Sequence, residues 1–205
     1  MKEFVDKEKG YGIVLLAAGK STRLGSPKQL LVFQGITLVR RAACIALETT
    51  EKVVAVTGAQ AEKVQKELEG LPLRQIHNEY FAEGIASSIR LGLSTLIEDT
   101  RDLKGVLFIV CDQPYLTPEI LNQLINSAEA SNKGIIGCGY GGTLGIPVLF
   151  KTRYFNEIMN LQGDTGAKRI LQNYVSDTVV IDFPEGNNDI DTPEDWQSVS
   201  GDVET

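Results

Sequence analysis

The chain has 205 residues, 42% hydrophobic and 23% charged, which suits one sizeable globular core better than two. Its net charge of −7 argues against DNA or an anionic membrane as partner, although a local cationic loop can still bind a small anion. Cys44, Cys111 and Cys138 are scattered and form no C-x-x-C pair, which argues against a zinc site or a disulfide framework and favours a reducing cytoplasm. Residues 1–11, MKEFVDKEKGY, read as a polar N-terminal extension without an apolar h-region, so no signal peptide is expected. No apolar run approaches membrane-spanning length.

Ile13 to Ala17 is apolar without a break, the pattern of a strand buried on both faces. The small residues Ala17, Ala18 and Gly19 follow, and another molecule can lie against such a backbone. Lys20, Ser21, Thr22, Arg23 and Lys28 then add hydroxyls and three cations. A loop of this kind after a central strand is where open α/β sheets bind ligands, and its free N–H groups and cations suit a phosphate chain. Gly19-Lys20-Ser21 is not a Walker A loop, because the position five residues before Gly19 holds Val14. No G-x-G-x-x-G opens here either.

Gln34-Gly35 reads as a turn, and Thr37 as the cap of a helix through Val39, Ala42, Ala43, Ala46 and Leu47. Val53 to Val56 reads as a buried strand, Gln60 to Glu69 as an amphipathic helix, and Leu73 to Ile76 as a weaker strand. The only histidine, His77, ends that strand far from the other motifs and reads as structural. Gly84, Ser87 and Ser88 open a helix carrying Ile89, Leu93 and Leu96. Such a helix start is either an ordinary cap or an anion site. Gly105 to Cys111 is the best central-strand candidate, and it delivers Asp112 to the strand's carboxyl end, a metal or catalytic position in many α/β enzymes. Thr117 reads as the cap of a helix over 118–131. The Gly137–Gly142 stretch matches G-x-G-x-x-G by letter, but a strand pattern, Gly145 to Phe150, follows it. It therefore reads as a hairpin insertion near 135–150. Lys151 to Leu161 and Ala167 to Asn173 read as helices, Val179 to Ile181 as a strand, and Thr192-Pro193 as a helix start. Capping explains Thr192, Glu194 and Asp195 but leaves Asp189 and Asp191 unexplained. The whole predicts a single three-layer α/β/α domain over 1–205 with a mostly parallel mixed sheet.

Leu16 to Leu31, LAAGKSTRLGSPKQLL, resembles the signature loop of nucleotidyltransferases with the nucleotide-diphospho-sugar transferase fold. Its Leu-Ala-Ala-Gly form is similar to the molybdenum cofactor cytidylyltransferase branch, which includes accessory proteins for xanthine dehydrogenase in purine breakdown. The guanylyltransferase branch usually has Leu-Ala-Gly-Gly. Glu83 to Arg90, Cys111 to Pro114, Gly145 to Pro147, Leu161 to Ala167 and Asp189 to Asp195 resemble further segments of the family, in the family's order.

The resemblance implies transfer of a cytidylyl group from CTP to molybdopterin, with Mg2+ and release of pyrophosphate. Arg23, Lys28 and Asp112 would be catalytic. Leu16, Ala17, Ala18, Gly19, Arg23, Lys28, Gly84 and Ser88 would bind the nucleotide. Gly145, Pro147, Gly163, Asp164 and Gly166 would bind the acceptor. Asp112 and Asp191 would hold the metal, with Asp189 in reserve. Transient contact with a molybdoenzyme is also implied. Two alternatives stand beside this reading: a transferase using GTP or a sugar phosphate, and a non-catalytic carrier of the finished cofactor.

Overall fold

The computed structural model describes residues 10–201. β1 (Tyr11–Ala17) is buried at every residue. Ile13, Leu15 and Ala17 enter one core and Val14 and Leu16 a second on the opposite face, so no polar side chain fits between Ile13 and Ala17. The strand begins at Tyr11, within the stretch read from the sequence as an extension; residues 1–9 lie outside the described residues. β2 (Val32–Phe33) and β3 (Ile36–Thr37) form a small ribbon turning at Gln34-Gly35. There follow α1 (Leu38–Thr49), β4 (Val53–Thr57), α2 (Ala61–Glu67), β5 (Arg74–His77), α3 (Ile85–Asp99), β6 (Gly105–Val110) and α4 (Pro118–Ala130). The chain ends with β7 (Ile135–Tyr140), β8 (Thr143–Lys151), α5 (Phe155–Met159), α6 (Ala167–Asn173), β9 (Thr178–Asp182) and α7 (Pro193–Gly201).

The seven-stranded sheet runs in the order β5-β4-β1-β6-β8-β7-β9. β5, β4, β1 and β6 are mutually parallel, with Leu16 level with Val56 on one side and Val110 on the other. β8 runs antiparallel to both its neighbours, and β9 parallel to β7. Helices α1, α2, α4 and α7 cover one face and α3, α5 and α6 the other, giving three layers and the expected α/β/α class. Because β1, β4 and β6 are parallel, the loop after Ala17, the turn after Thr57 and the segment after Val110 all emerge at one edge. Among the described residues no helix is long and apolar enough to cross a membrane.

Several local expectations are corrected. The hairpin over 135–150 is no insertion: it supplies two of the sheet's strands, and β8 passes between β6 and β7. Lys151 to Leu161 is not one helix. Lys151 ends β8 level with Gly105, its N–H donates to the Gly134 carbonyl at 2.9 Å, and only Phe155–Met159 is α-helical. Pairing with a distant strand outweighs the local helical pattern there. Thr37 and Thr117 stand at the N-caps of α1 and α4, but neither caps by its side chain. The Thr37 hydroxyl instead donates to Glu67 at 2.9 Å. α6, preceded by Gly166, likewise has no side-chain cap.

Candidate active site

The loop after β1 is held from beneath by Gln29, which is 1% exposed. Gln29 Nε2 donates to the carbonyls of Gly19 at 2.7 Å and Ala17 at 3.3 Å. Ser21 adopts φ +53° and its Oγ accepts from the Lys28 N–H at 3.1 Å, folding the loop back so that Lys28 re-enters the site. On the far side, Ala59 N–H donates to the Ala18 carbonyl at 3.1 Å. The approach requires glycine at position 58, where a Cβ would lie 2.8 Å from Ala18 Cβ. A Cβ on Gly19, by contrast, would meet nothing within 4 Å, so that backbone faces open space.

That space is a cavity of about 520 Å³ at the carboxyl ends of β1 and β6. Leu16, Ala18, Gly19, Lys28, Gly84 and Ser88, all expected to bind the nucleotide, line it, as do Asp112 and Asp164. Ala17 does not: it is 1% exposed and packs inside the core. Arg23 lies outside the cavity wall, with its side chain 73% exposed. Gly84 carries φ +113°, and a Cβ there would come within 2.3 Å of the Gly163 carbonyl. This contact welds the start of α3 to the 163–166 turn, where Ala86 N–H donates to Gly163 O at 3.1 Å. Gly166 sits against Ile85. Gly145 and Pro147 lie on β8, past the Phe108–Val148 pair and hence beyond the paired part of β6, and they do not line the cavity. Between them Ile146 accepts from Gln113, the residue after Asp112, whose Nε2 donates to the Ile146 carbonyl at 2.9 Å and the Gly186 carbonyl at 3.2 Å.

Asp112 and Asp191, distant in sequence, meet at one nitrogen. Lys28 Nζ bonds Asp112 Oδ2 and, at 2.9 Å, Asp191 Oδ1. Arg23 closes the other side of Asp191 with Nη1 to Oδ2 at 2.9 Å. Ile190 anchors the segment: it is fully buried, and its N–H donates to the Asp112 carbonyl at 2.9 Å. A reciprocal cap fixes the next turn, with Asp195 Oδ2 accepting from the N–H groups of Asp191 (3.1 Å) and Thr192 (2.8 Å), and Asp195 N–H donating to Thr192 Oγ1 at 3.2 Å. Burial alone would lower the Lys28 pKa, but the Asp112 and Asp191 carboxylates outweigh it and raise it, so the ammonium is fully charged. Asp189 carries no ion pair to a described cation. Desolvation, then the nearby Asp112 charge, raise its pKa.

Asp112 Oδ1 is buried without a hydrogen-bond partner, an unsatisfied carboxylate oxygen of the kind a bound cation would satisfy. Among the described residues no group of three or more acidic, Cys or His side chains gathers to hold a metal. Asp112 lines the cavity and Asp191 stands behind it on Lys28, and two such carboxylates nevertheless fit Mg2+, which takes one or two from the protein and fills its other positions with water and phosphate oxygens. The residues that shape the site without charge and that the sequence did not single out are Gln29, Phe81 and Asn78. The buried Gln29 and Asn78 look in sequence like ordinary loop polar residues. Only their partners reveal the role. His77 is exposed at the end of β5, outside the cavity.

Comparison with known proteins bears on the family and the fold. The chain is 28% identical over 198 residues to the purine catabolism protein PucB of Bacillus subtilis (strain 168), covering 91% of this chain and 94% of the relative. It is 23% identical over 184 residues to the molybdenum cofactor cytidylyltransferase of Escherichia coli (strain K12), covering 89% and 92%. The crystal structure of Rv0371c from Mycobacterium tuberculosis H37Rv superposes with a TM-score of 0.76 at 27% identity, covering 93% of this chain and 97% of that one. The model of the MobA-like NTP transferase domain matches residues 13–179, so the chain belongs to that family of nucleotidyltransferases.

Proposed function

We propose that this protein transfers the cytidylyl group of CTP to molybdopterin, releasing pyrophosphate, in the maturation of a molybdoenzyme such as xanthine dehydrogenase. The observation that carries the reading is Lys28 held between Asp112 and Asp191 at the floor of a cavity walled by the Ala18-Gly19 backbone. The Leu-Ala-Ala-Gly form of the loop and the similarity to the Escherichia coli cytidylyltransferase support CTP, and the similarity to PucB supports a place in purine catabolism.

The terminal phosphate of the pterin attacks the α-phosphorus of CTP in line; the bond to the β-phosphate oxygen breaks and pyrophosphate leaves. This chemistry needs positioning and charge neutralisation rather than a protein nucleophile. Leu16, Ala18, Gly19, Gly84 and Ser88 hold the nucleoside. Lys28 and Arg23 meet the triphosphate and stabilise the charge on departing pyrophosphate. Asp112 and Asp191 would hold Mg2+, which when bound would neutralise phosphate charge. The acceptor approaches from the side of Gly145, Pro147, Gly163, Asp164 and Gly166.

The test is incubation of the protein with Mg2+, molybdopterin and each of CTP, GTP, UTP and ATP, reading pyrophosphate and product mass. CTP should give both. A clear GTP preference would overturn the cytidylyl assignment, and no pyrophosphate with any nucleotide would overturn transfer altogether.

A further inference from the structure

β6 and β8 pair only as far as Phe108 and Val148. The next β8 residue toward the site, Pro147, has no N–H to donate, and β8 shifts register against β7 between Gly137 and Cys138. The ladder therefore stops just before Asp112, and the Gln113 side chain spans the gap. Gln113 is 6% exposed, and its Nε2 donates to the Ile146 and Gly186 carbonyls. Both partners can only accept, so the amide points one way; reversed, its oxygen would face two oxygens. Oε1 is buried without a hydrogen-bond partner, so what the amide adds lies on its NH2 side. The two bonds run to different parts of the site. Ile146 stands between Gly145 and Pro147, on the proposed acceptor side, and its carbonyl also accepts from Tyr140 Oη at 2.8 Å. Gly186 opens the segment that ends at Asp191. With Ile190 N–H on the Asp112 carbonyl, residues 186–190 are pinned at both ends to the consecutive residues 112 and 113. The turn is tightly packed: a Cβ on Gly186 would lie 2.6 Å from the Phe183 ring and 2.7 Å from the Tyr140 ring.

We propose that Gln113 is a positioning residue that ties the acceptor-side strand to the two carboxylates Asp112 and Asp191, so that one buried amide keeps attacking group and metal site in register. The inference rests on the nucleotidyl-transfer reading and deepens it. One N–H group holds β8 against the end of β6, where the ladder bonds have stopped. The other holds the 186–190 segment, and with it the spacing of Asp191 from Asp112. A misplacement of about 1 Å is enough to cost about a hundredfold in rate, so two converging segments need a fixed link to stay in line. Gln113 does not line the cavity walled by Leu16, Ala18, Gly84 and Ser88, so loosening it should leave the nucleoside wall in place.

The test is Gln113→Met, which keeps length and burial but donates nothing, beside Tyr140→Phe, which takes one donor from Ile146 and leaves the Gly186 bond. Pyrophosphate release is followed at saturating Mg2+ against CTP and against molybdopterin separately. The Mn2+ affinity of the nucleotide-free protein is read by electron paramagnetic resonance. Gln113→Met should lower kcat/KM for molybdopterin and raise the Kd for Mn2+, each by about tenfold, the scale of one lost neutral hydrogen bond. Its KM for CTP should stay within about twofold of wild type. Tyr140→Phe should lower kcat/KM for molybdopterin and leave Mn2+ affinity unchanged. Circular dichroism checks folding; should Gln113→Met not fold, Gln113→Asn, whose shorter amide cannot reach both carbonyls, takes its place in the comparison. A KM for CTP that rises as much as that for molybdopterin, or weaker Mn2+ binding in Tyr140→Phe, would mean a general loosening and overturn the inference. An effect of Gln113→Met on acceptor without metal, or on metal without acceptor, would break the link and overturn it too, as would wild-type values in both. A wild type without molybdopterin-dependent pyrophosphate release sinks the transfer reading instead, and the Mn2+ affinities alone then decide whether Gln113 places the carboxylates.

Discussion

Lys28→Met removes the ammonium and keeps most of the stem. The side chains of Lys28, Asp112 and Asp191 are 17%, 14% and 31% exposed, so the trio lies between a surface pair and a buried one. Breaking a buried pair costs about 3–5 kcal/mol, while a surface pair is worth about 0–1 kcal/mol. Asp191 keeps Arg23 as a solvent-screened partner, but Asp112 loses its ammonium while its Oδ1 is already unpartnered. A loss of about 2 kcal/mol follows, which lowers Tm by about 4–8 °C for a chain of this length. A reading of Lys28 as a plain polar-loop residue would put the cost within about 0.5 kcal/mol; the two carboxylates make the difference. Turnover should fall by about a hundredfold or more, as for loss of one transition-state stabiliser. Thermal unfolding by circular dichroism, with and without millimolar Mg2+, separates the effects. The ion should raise the variant's Tm more than the wild type's, because the ammonium no longer competes for the carboxylates. An unchanged Tm in metal-free buffer together with unchanged pyrophosphate release would refute the placement of Lys28 between the two acids.

Asp112→Asn and Asp191→Asn each keep side-chain shape but remove a charge, and turnover should fall by about a hundredfold or more. Partial rescue by Mn2+ would support direct coordination, and activity near wild type in either variant would remove that residue from the metal site. Gly84→Ala should cost about 2–4 kcal/mol, since a Cβ would meet the Gly163 carbonyl at 2.3 Å on a backbone at φ +113°; urea titration checks it, and a loss below about 0.5 kcal/mol would mean the two loops separate freely. Tyr154→Phe removes a 2.6 Å hydrogen bond to Asp177, which also pairs with Arg153. Partial burial would raise the Asp177 pKa, but the bonds from Tyr154 and Arg153 outweigh it and hold it below its ordinary 3.8. A depressed carboxyl pKa stabilises above the unfolded value and loses that contribution as pH falls through the folded one. The variant should therefore be about 1–2 kcal/mol less stable at neutral pH, with the gap closing below about pH 4. A gap independent of pH would assign the loss to packing instead.

The sequence by itself determined the strands whose burial is two-sided and the turns whose chemistry is local. β1 and β6 are continuous apolar runs because each alternate residue enters a different core, and that constraint is written one residue at a time. The Thr192–Asp195 cap and the Gln34-Gly35 turn are equally local, and both stand where the sequence places them. The small-residue loop, Asp112 at the end of β6 and Asp191 before α7 are likewise visible as residues. Their meeting depended on order: the motifs keep a family's sequence of segments, and parallel strands bring those segments to one edge. Only the tertiary structure decided what depends on a distant partner. β8 takes Lys151 from an apparent helix because Gly105 lies across from it. The Thr37 hydroxyl leaves its cap for Glu67, and Lys28 turns from a loop cation into the bridge between two acids. The Asn78 amide is oriented by the Tyr80 N–H and reaches the Ser88 hydroxyl ten residues on. Hydrogen-bond polarity passes through contacts in space, and no window of sequence contains it.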